Sequence, residues 1–431
     1  MSNAQKKSIE LASYLDRLFP ILRSITGNGV RETFLILSEI IPYDVLEFPS
    51  GTKVFDWEIP PEWNVEKAQI KDDLGNVLVD VDDHPLHILN YSIPFSGTVS
   101  LNELQDHLYS LPERPEAIPY VSSYYKERWG MCVSEQQRQA LKPGNYRVDI
   151  QTSLDPNGSL SIAEYVIPGR SKKEILFTAY SCHPGMGNDE MGGMIALTLL
   201  ADRLLKKKNF YTYRFLLHPE TIGSISYLAH RGKELKQNLH AGHVIANICW
   251  EQPFNAKRSR CGGKVDQILE YVLKHERYEQ GVLNDFSPLA SDERQYCSPG
   301  FNLPVCSIWR GDPYFQEYHS SLDSKEKIST DAIWETVDFF EEICSSHEMN
   351  LTYQNLFPDC EPQLGKRGLY PTIGASSRRT QELEALLWVL NLSDGNHDLL
   401  QIAKKSATSL KIISEAAQKC EQAGLLVSIC K

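Results

Sequence analysis

EILFTAYSCHPGMGNDEMGGMIALTLLADRLL, residues 174–205, decides the reading of this chain. It opens with an apolar run of strand length, and from Met194 apolar positions recur at helical spacing. Between the two lie one histidine, two adjacent carboxylates and four glycines within SCHPGMGNDEMGG. The same order returns downstream: TYRFLLHP (212–219) reads as a strand, TIGSISYLAHRGKEL (221–235) as a helix and HVIANICWEQ (243–252) as a strand again. Such alternation predicts an α/β layer built on a mixed, mostly parallel sheet flanked by helices. Ligands of such sheets bind just past the carboxyl ends of the strands, where both polar motifs fall.

Around this centre the character of the chain changes twice. Residues 4–42 read as helical. From Tyr43 to Arg147, short β-type runs separated by Pro, Gly and Asn predict a small β-rich module. Trp57, Trp63 and Trp129 are expected to pack in or around it, and Tyr124 and Tyr125 are assigned to its core rather than to a groove. YRVDIQTSL and LSIAEYVIPG predict a hairpin turning at residues 155–158. After a helix in DAIWETVDFFEEICSSHEMN comes a Pro/Gly-rich linker, then three helical segments and an apolar tail, the pattern of a winged helix-turn-helix. The expected division is 1–48 with 148–355 as the α/β domain, 49–147 inserted, 356–375 as linker and 376–431 as winged helix.

A chain of 431 residues is long enough for two or three domains. Its net charge of -12 argues against nucleic acid as a partner. The C-terminal region carries Lys366, Arg367, Arg378, Arg379, Lys404 and Lys405, yet its last helix balances two lysines with two glutamates, so we read it as an interaction domain. The N-terminus lacks the apolar core of a signal peptide, and no apolar run approaches the ~18–20 residues of a membrane span. Scattered cysteines in such a chain are expected to be reduced thiols, with the cytoplasm as the default address. A homo-oligomer is left open.

Four places at strand ends offer metal-compatible groups: His183 with Asp189, Glu220, Asp292-Glu293, and His319 with Asp323. A hydrolytic zinc site needs three protein ligands, an open position for water and a carboxylate that takes the proton. Glycines allow the loop to curl His183 and Asp189 towards one point. The plainer alternative has Asn188 or Asp189 cap the following helix. Glu220 ends a buried strand and must be paired, protonated or metal-bound, or else it serves the N-terminus of the next helix. If the strand runs on to Cys182, that thiol points away from His183, and no nucleophilic role is assigned to it.

Taken together, CHPGMGNDEMGG, HPETIGS, SDERQYCSPG and YHSSLD resemble the motifs of the co-catalytic zinc aminopeptidases, the group that includes glutaminyl cyclases. More closely, the chain resembles a bacterial aminopeptidase-like family with an inserted β module and a C-terminal winged helix, often found with polysaccharide-biosynthesis genes. The resemblance implies a phosphorylase/aminopeptidase-like α/β fold and zinc, one or two ions, held by His183, Asp189 and His319. It implies Glu220 as general base and a peptide or small acylated amine as substrate. Glu251, Asp292 and Glu293 are further candidates for metal or substrate. Thr221 stands where the family places a second Glu, and Gly185 where it places an acid that orients the first histidine. These departures raise an alternative: a scaffold that binds a ligand or serves a biosynthetic pathway without peptidase activity. A winged-helix regulator is the third reading.

Overall fold

The structure, a computed structural model, describes residues 3–278, 280–370 and 381–429. Arg378, Arg379 and the boundary expected at residue 376 lie outside the described residues. The chain divides into two compact units, Met1–Phe339 and Phe340–Lys431.

The first unit is built on an eight-stranded mixed sheet. We number its strands β1 (Asp44–Pro49), β2 (Ser159–Ile167), β3 (Glu174–Tyr180), β4 (Thr212–His218), β5 (Leu239–Ile245), β6 (Phe254–Lys257), β7 (Val282–Asn284) and β8 (Val305–Arg310). Their order across the sheet is β1-β2-β4-β3-β5-β8-β6-β7. The centre, β4-β3-β5-β8, is parallel, β1-β2 and β2-β4 are antiparallel pairs, and β6 runs antiparallel to β8 and parallel to β7. Every residue of β3 is buried, as a continuous apolar run in a covered parallel sheet requires. The helices Gly192–Leu205 and Ile222–Asn238 follow β3 and β4, so the loops preceding them open at the same end of the sheet.

The inserted segment forms its own antiparallel sheet from Glu62–Lys71, Val77–Asp80, Phe95–Ser100 and Asn145–Asp155. Trp63 is 1% exposed, stacks on Tyr91 and donates its indole N–H to the Ser92 carbonyl at 2.9 Å. Trp129 stacks between Phe95 and His107.

Two local expectations are corrected. The runs on either side of residues 155–158 do turn there, with the Gly158 N–H donating to the Asp155 carbonyl, but they do not pair as a hairpin. β2 has both edges taken, by β1 and β4, so Asn145–Asp155 pairs instead within the inserted sheet. The third strand of the α/β run starts at Leu239 and stops at Ile245; Asn247 (φ 50) turns the chain into left-handed backbone just beyond.

In the second unit, the helices Gln381–Leu392, Leu399–Ser406 and Leu410–Gln422 combine with a three-stranded sheet whose central strand is Thr352–Asn355. That strand pairs with Asp394–Asp398 and Leu426–Ile429, so the winged helix begins upstream of the stretch expected as a linker. Among the described residues, no helix is long and apolar enough to cross a membrane.

Gly185 shows how closely the inserted module approaches the loop after β3. Its φ is 58, and an added Cβ would lie 2.7 Å from Pro85 Cγ and 3.0 Å from His84 Cε1. Of the loop's four glycines it alone needs the left-handed region; Gly192 instead permits close approach, since a Cβ there would meet Cys249 Sγ at 2.0 Å. An acid at 185 would be strained and would clash, which accounts for glycine at this position. Urea unfolding of Gly185→Ala should show a loss of about 1–3 kcal/mol. Gly75→Ala, also left-handed but in open space, lacks the clash and should lose no more than about 1–2 kcal/mol.

Candidate metal centre

His183, Asp189 and His319 offer ligand atoms that all lie within 4.8 Å of one another, the one such group of His, Cys, Asp and Glu found among the described residues. They come from chain positions 136 residues apart, the first two from the loop after β3 and the third from the loop after β8. Asp189 is 1% exposed; its Oδ1 accepts from the Tyr180 hydroxyl, and its Oδ2 lies 3.1 Å from Nε2 of His319 and accepts no hydrogen bond. Burial opposes its ionisation, but the two imidazoles and the Tyr180 hydroxyl hold its carboxyl below the usual range. Burial pushes His183 down to about 4, so its imidazole is neutral with a lone pair to give. Two nitrogens and one anionic oxygen that lacks a donor make a set that fits zinc, which takes three protein ligands and leaves a fourth position open.

The backbone around these donors is held by other buried groups. Asp323, of the YHSSLD motif, accepts from the amides of Asn188 and Asp189, each at 2.8 Å, and its own carbonyl accepts from Gly187 N at 2.9 Å. Burial outweighs these amides and raises its carboxyl to about 7. Asn188 Oδ1 accepts from Cys249 N, and neither Asn188 nor Asp189 caps the helix that starts at Gly192. Both residues are thus occupied elsewhere, and the capping alternative is set aside. His319 sits at φ 54, stacked on the Tyr318 ring at 3.9 Å, while its carbonyl accepts from Tyr120 N at 2.9 Å. A bridge between Pro119 and Ser320 ties the same inserted segment to this loop. Arg23, fully buried, donates from Nε to the His183 carbonyl at 2.9 Å.

Cys182 does not point away. β3 ends at Tyr180, so strand alternation no longer applies, and the sulfur lies 3.5 Å from His183 Nδ1. Burial, with Glu220 nearby, raises its thiol well above the ordinary value, so it is held neutral. It also accepts from the Glu220 amide at 3.3 Å.

Glu220 follows β4. Burial first, then the charges of Asp292 and Asp189, raise its carboxyl well above 4.5, against the opposing pull of Arg294. It lines a groove of about 350 Å³ together with His183, His319, Tyr120, Tyr125 and Trp57. Tyr124 also lines this groove, and Tyr125 is 59% exposed; both were assigned to the core, but the inserted module turns them towards the His183 loop.

The remaining candidates lie outside the group of His183, Asp189 and His319, although Asp292 Oδ2 is buried without a hydrogen-bond partner. Asp292 Oδ1 accepts from Thr221 N and Ser224 Oγ, holding the start of the helix Ile222–Asn238. Thr221, at φ 62, accepts from Arg294 through its hydroxyl. Glu293 is ion-paired with Lys257, both buried. Glu251 is exposed and accepts from Ser329 Oγ at 2.6 Å. None of these three acids is in the cluster with Asp189.

Residues 12–350 match the family described as a domain of unknown function (DUF4910), and residues 351–428 match a winged helix-turn-helix family. The chain belongs to the DUF4910 family. A Clostridium acetobutylicum member, named as a candidate polysaccharide biosynthesis protein with an aminopeptidase-like domain, is 42% identical over 99% of this chain and 98% of its own. The crystal structure of a candidate peptidase from the same species superposes with a TM-score of 0.90 at 40% identity, covering 99% of this chain and 98% of that one. BSAP, a zinc aminopeptidase from Bacillus subtilis, superposes with a TM-score of 0.57 at 13% identity over 79% of this chain and 94% of its own. The DUF4910 segment therefore has the zinc-aminopeptidase fold, and the winged helix is an addition to it.

Asp323→Ala strands two buried amides. Denaturant unfolding should show a loss of about 2–6 kcal/mol, with Asp323→Asn, which keeps one acceptor oxygen, losing less.

Proposed function

We propose that the protein is a zinc-dependent amide hydrolase acting at a free amino terminus or on a small acylated amine. The observation that carries this reading is the convergence of His183, Asp189 and His319 within 4.8 Å beside the raised carboxyl of Glu220. Held by His183, Asp189 and His319, zinc would supply Lewis-acid polarisation of the scissile carbonyl and lower the pKa of its water to about 7. Glu220 takes a proton from the attacking water and returns it to the leaving amine. A carboxyl raised from its ordinary value suits this two-way exchange near neutral pH. Burial and the charges of Asp292 and Asp189 raise Glu220, whereas Arg294 lowers it, so the surroundings keep the base from becoming too weak. Tyr120, Tyr124 and Trp57 form the wall over the groove, exclude water from one side of the substrate and orient it. With Glu251, Asp292 and Glu293 outside the group formed by His183, Asp189 and His319, the reading is of one zinc rather than two.

A second reading keeps the scaffold and the metal but not the hydrolysis. It is favoured by Thr221, whose hydroxyl is committed to Arg294 at the position where the aminopeptidase motif has its second Glu. The Clostridium relative's name gives this reading a setting, a step in polysaccharide biosynthesis on an amine-bearing precursor.

Elemental analysis and aminoacyl p-nitroanilides separate the two. Hydrolysis predicts zinc in the purified wild type and none in His183→Ala. Glu220→Gln should keep its zinc and lose about 10²–10⁴-fold in kcat. Zinc with no turnover of any amide supports the second reading, and a protein that holds no zinc contradicts both.

A further inference from the structure

Glu220 also borders a second, smaller cavity of about 110 Å³, which shares no other lining residue with the aromatic groove. Asn247, Ser291 and Trp309 line it, and each carries a buried polar atom without a hydrogen-bond partner: Asn247 Oδ1, Ser291 Oγ and Trp309 Nε1. Asn247 is 5% exposed and sits in left-handed backbone at φ 50. Its Nδ2 is turned to the Pro313 carbonyl at 3.4 Å and its own carbonyl accepts from Arg310 N at 3.0 Å, so Oδ1 is the acceptor left over. Buried polar atoms are costly unless something pairs with them. One acceptor, one donor and a hydroxyl that can be either are thus offered to whatever occupies the cavity.

Charge and size narrow the occupant. Lys257 lines the cavity, but Glu293 neutralises it. An acidic group offers only acceptors and would leave Asn247 Oδ1 unpaired, and a basic one offers only donors and would leave Trp309 Nε1 unpaired. The space is smaller than the ~150 Å³ that accommodates a benzene ring, which excludes aromatic side chains. An aliphatic side chain of suitable size would leave all three polar atoms unpaired.

We propose that this cavity is a specificity pocket for a small, neutral, hydrogen-bonding side chain, hydroxyl or carboxamide, on the residue whose carbonyl is attacked. The leaving amine then lies in the wider aromatic groove on the other side of Glu220. This rests on the hydrolase reading and names its substrate class.

The test compares seryl, threonyl and asparaginyl p-nitroanilides with the leucyl and phenylalanyl compounds, alongside calorimetric binding of serinamide and leucinamide to the zinc-loaded full chain. The polar substrates should lead in kcat/KM by at least about tenfold, and serinamide should bind more tightly than leucinamide. Trp309→Phe and Asn247→Leu should each shrink that ratio; Trp309→Phe serves where the left-handed backbone at 247 does not tolerate leucine. Leucyl or phenylalanyl preference overturns the proposal, as does a ratio that neither variant moves, which would assign the unpaired atoms to ordered water. If no anilide is cleaved but serinamide still binds preferentially, the hydrolase reading fails and the pocket stands. If neither amide binds, the pocket fails too.

Discussion

Carboxylates crowd the end of the sheet where β3 and β4 stop, and most of them are out of water. Asp189, Glu190, Asp292, Glu293 and Asp323 are each no more than 2% exposed. Transfer of a charge from water into such a place is costly unless it is paired or neutralised. Some of these acids have answers: Glu293 has Lys257, Asp323 has two amides, and Asp292 has the start of a helix. Burial raises the Glu190 carboxyl well above its ordinary value, with Arg23 as the opposing cation. Asp189 is different. It stays below the usual carboxylate range, and its compensation comes from two histidines. The proposed zinc site rests on that arrangement.

The consequence is an interlocked pair of loops. Asp323 grips the backbone of the loop that carries Asp189, while its own loop presents His319, so neither donor is positioned without the other. The inserted module closes the assembly from outside: Pro85 rests against Gly185, and the segment through Pro119 and Tyr120 pairs with the His319 loop. A module that reads in sequence as an accessory is therefore a wall of the site.

The α/β order was legible because β3 and β4 are short apolar runs bounded by polar turns, and the helices after them keep their spacing. The group His183, Asp189 and His319 was legible for the same reason: each is in a distinctive string at a strand end. What local pattern does not carry is pairing at a distance. Asn145–Asp155 has the alternation of a hairpin arm, but its partners were decided by which edges of β2 were already filled. Asp292 and Glu293 resemble ligands as an isolated SDE string; only the fold delivers Thr221 and Lys257 to them. Tyr120 and Arg23 lie far along the chain from the residues they hold, in stretches whose composition does not set them apart. Asp323 was visible as part of the YHSSLD string, yet its grip on two amides is a fact of three dimensions alone.

An anomalous-difference map collected across the zinc edge from crystals of the full-length protein tests the central claim most directly. One zinc peak within bonding distance of His183, Asp189 and His319, about 2.0–2.2 Å, is the predicted result. The absence of a peak in zinc-supplied crystals, or zinc bound elsewhere with these three side chains turned apart, would contradict it.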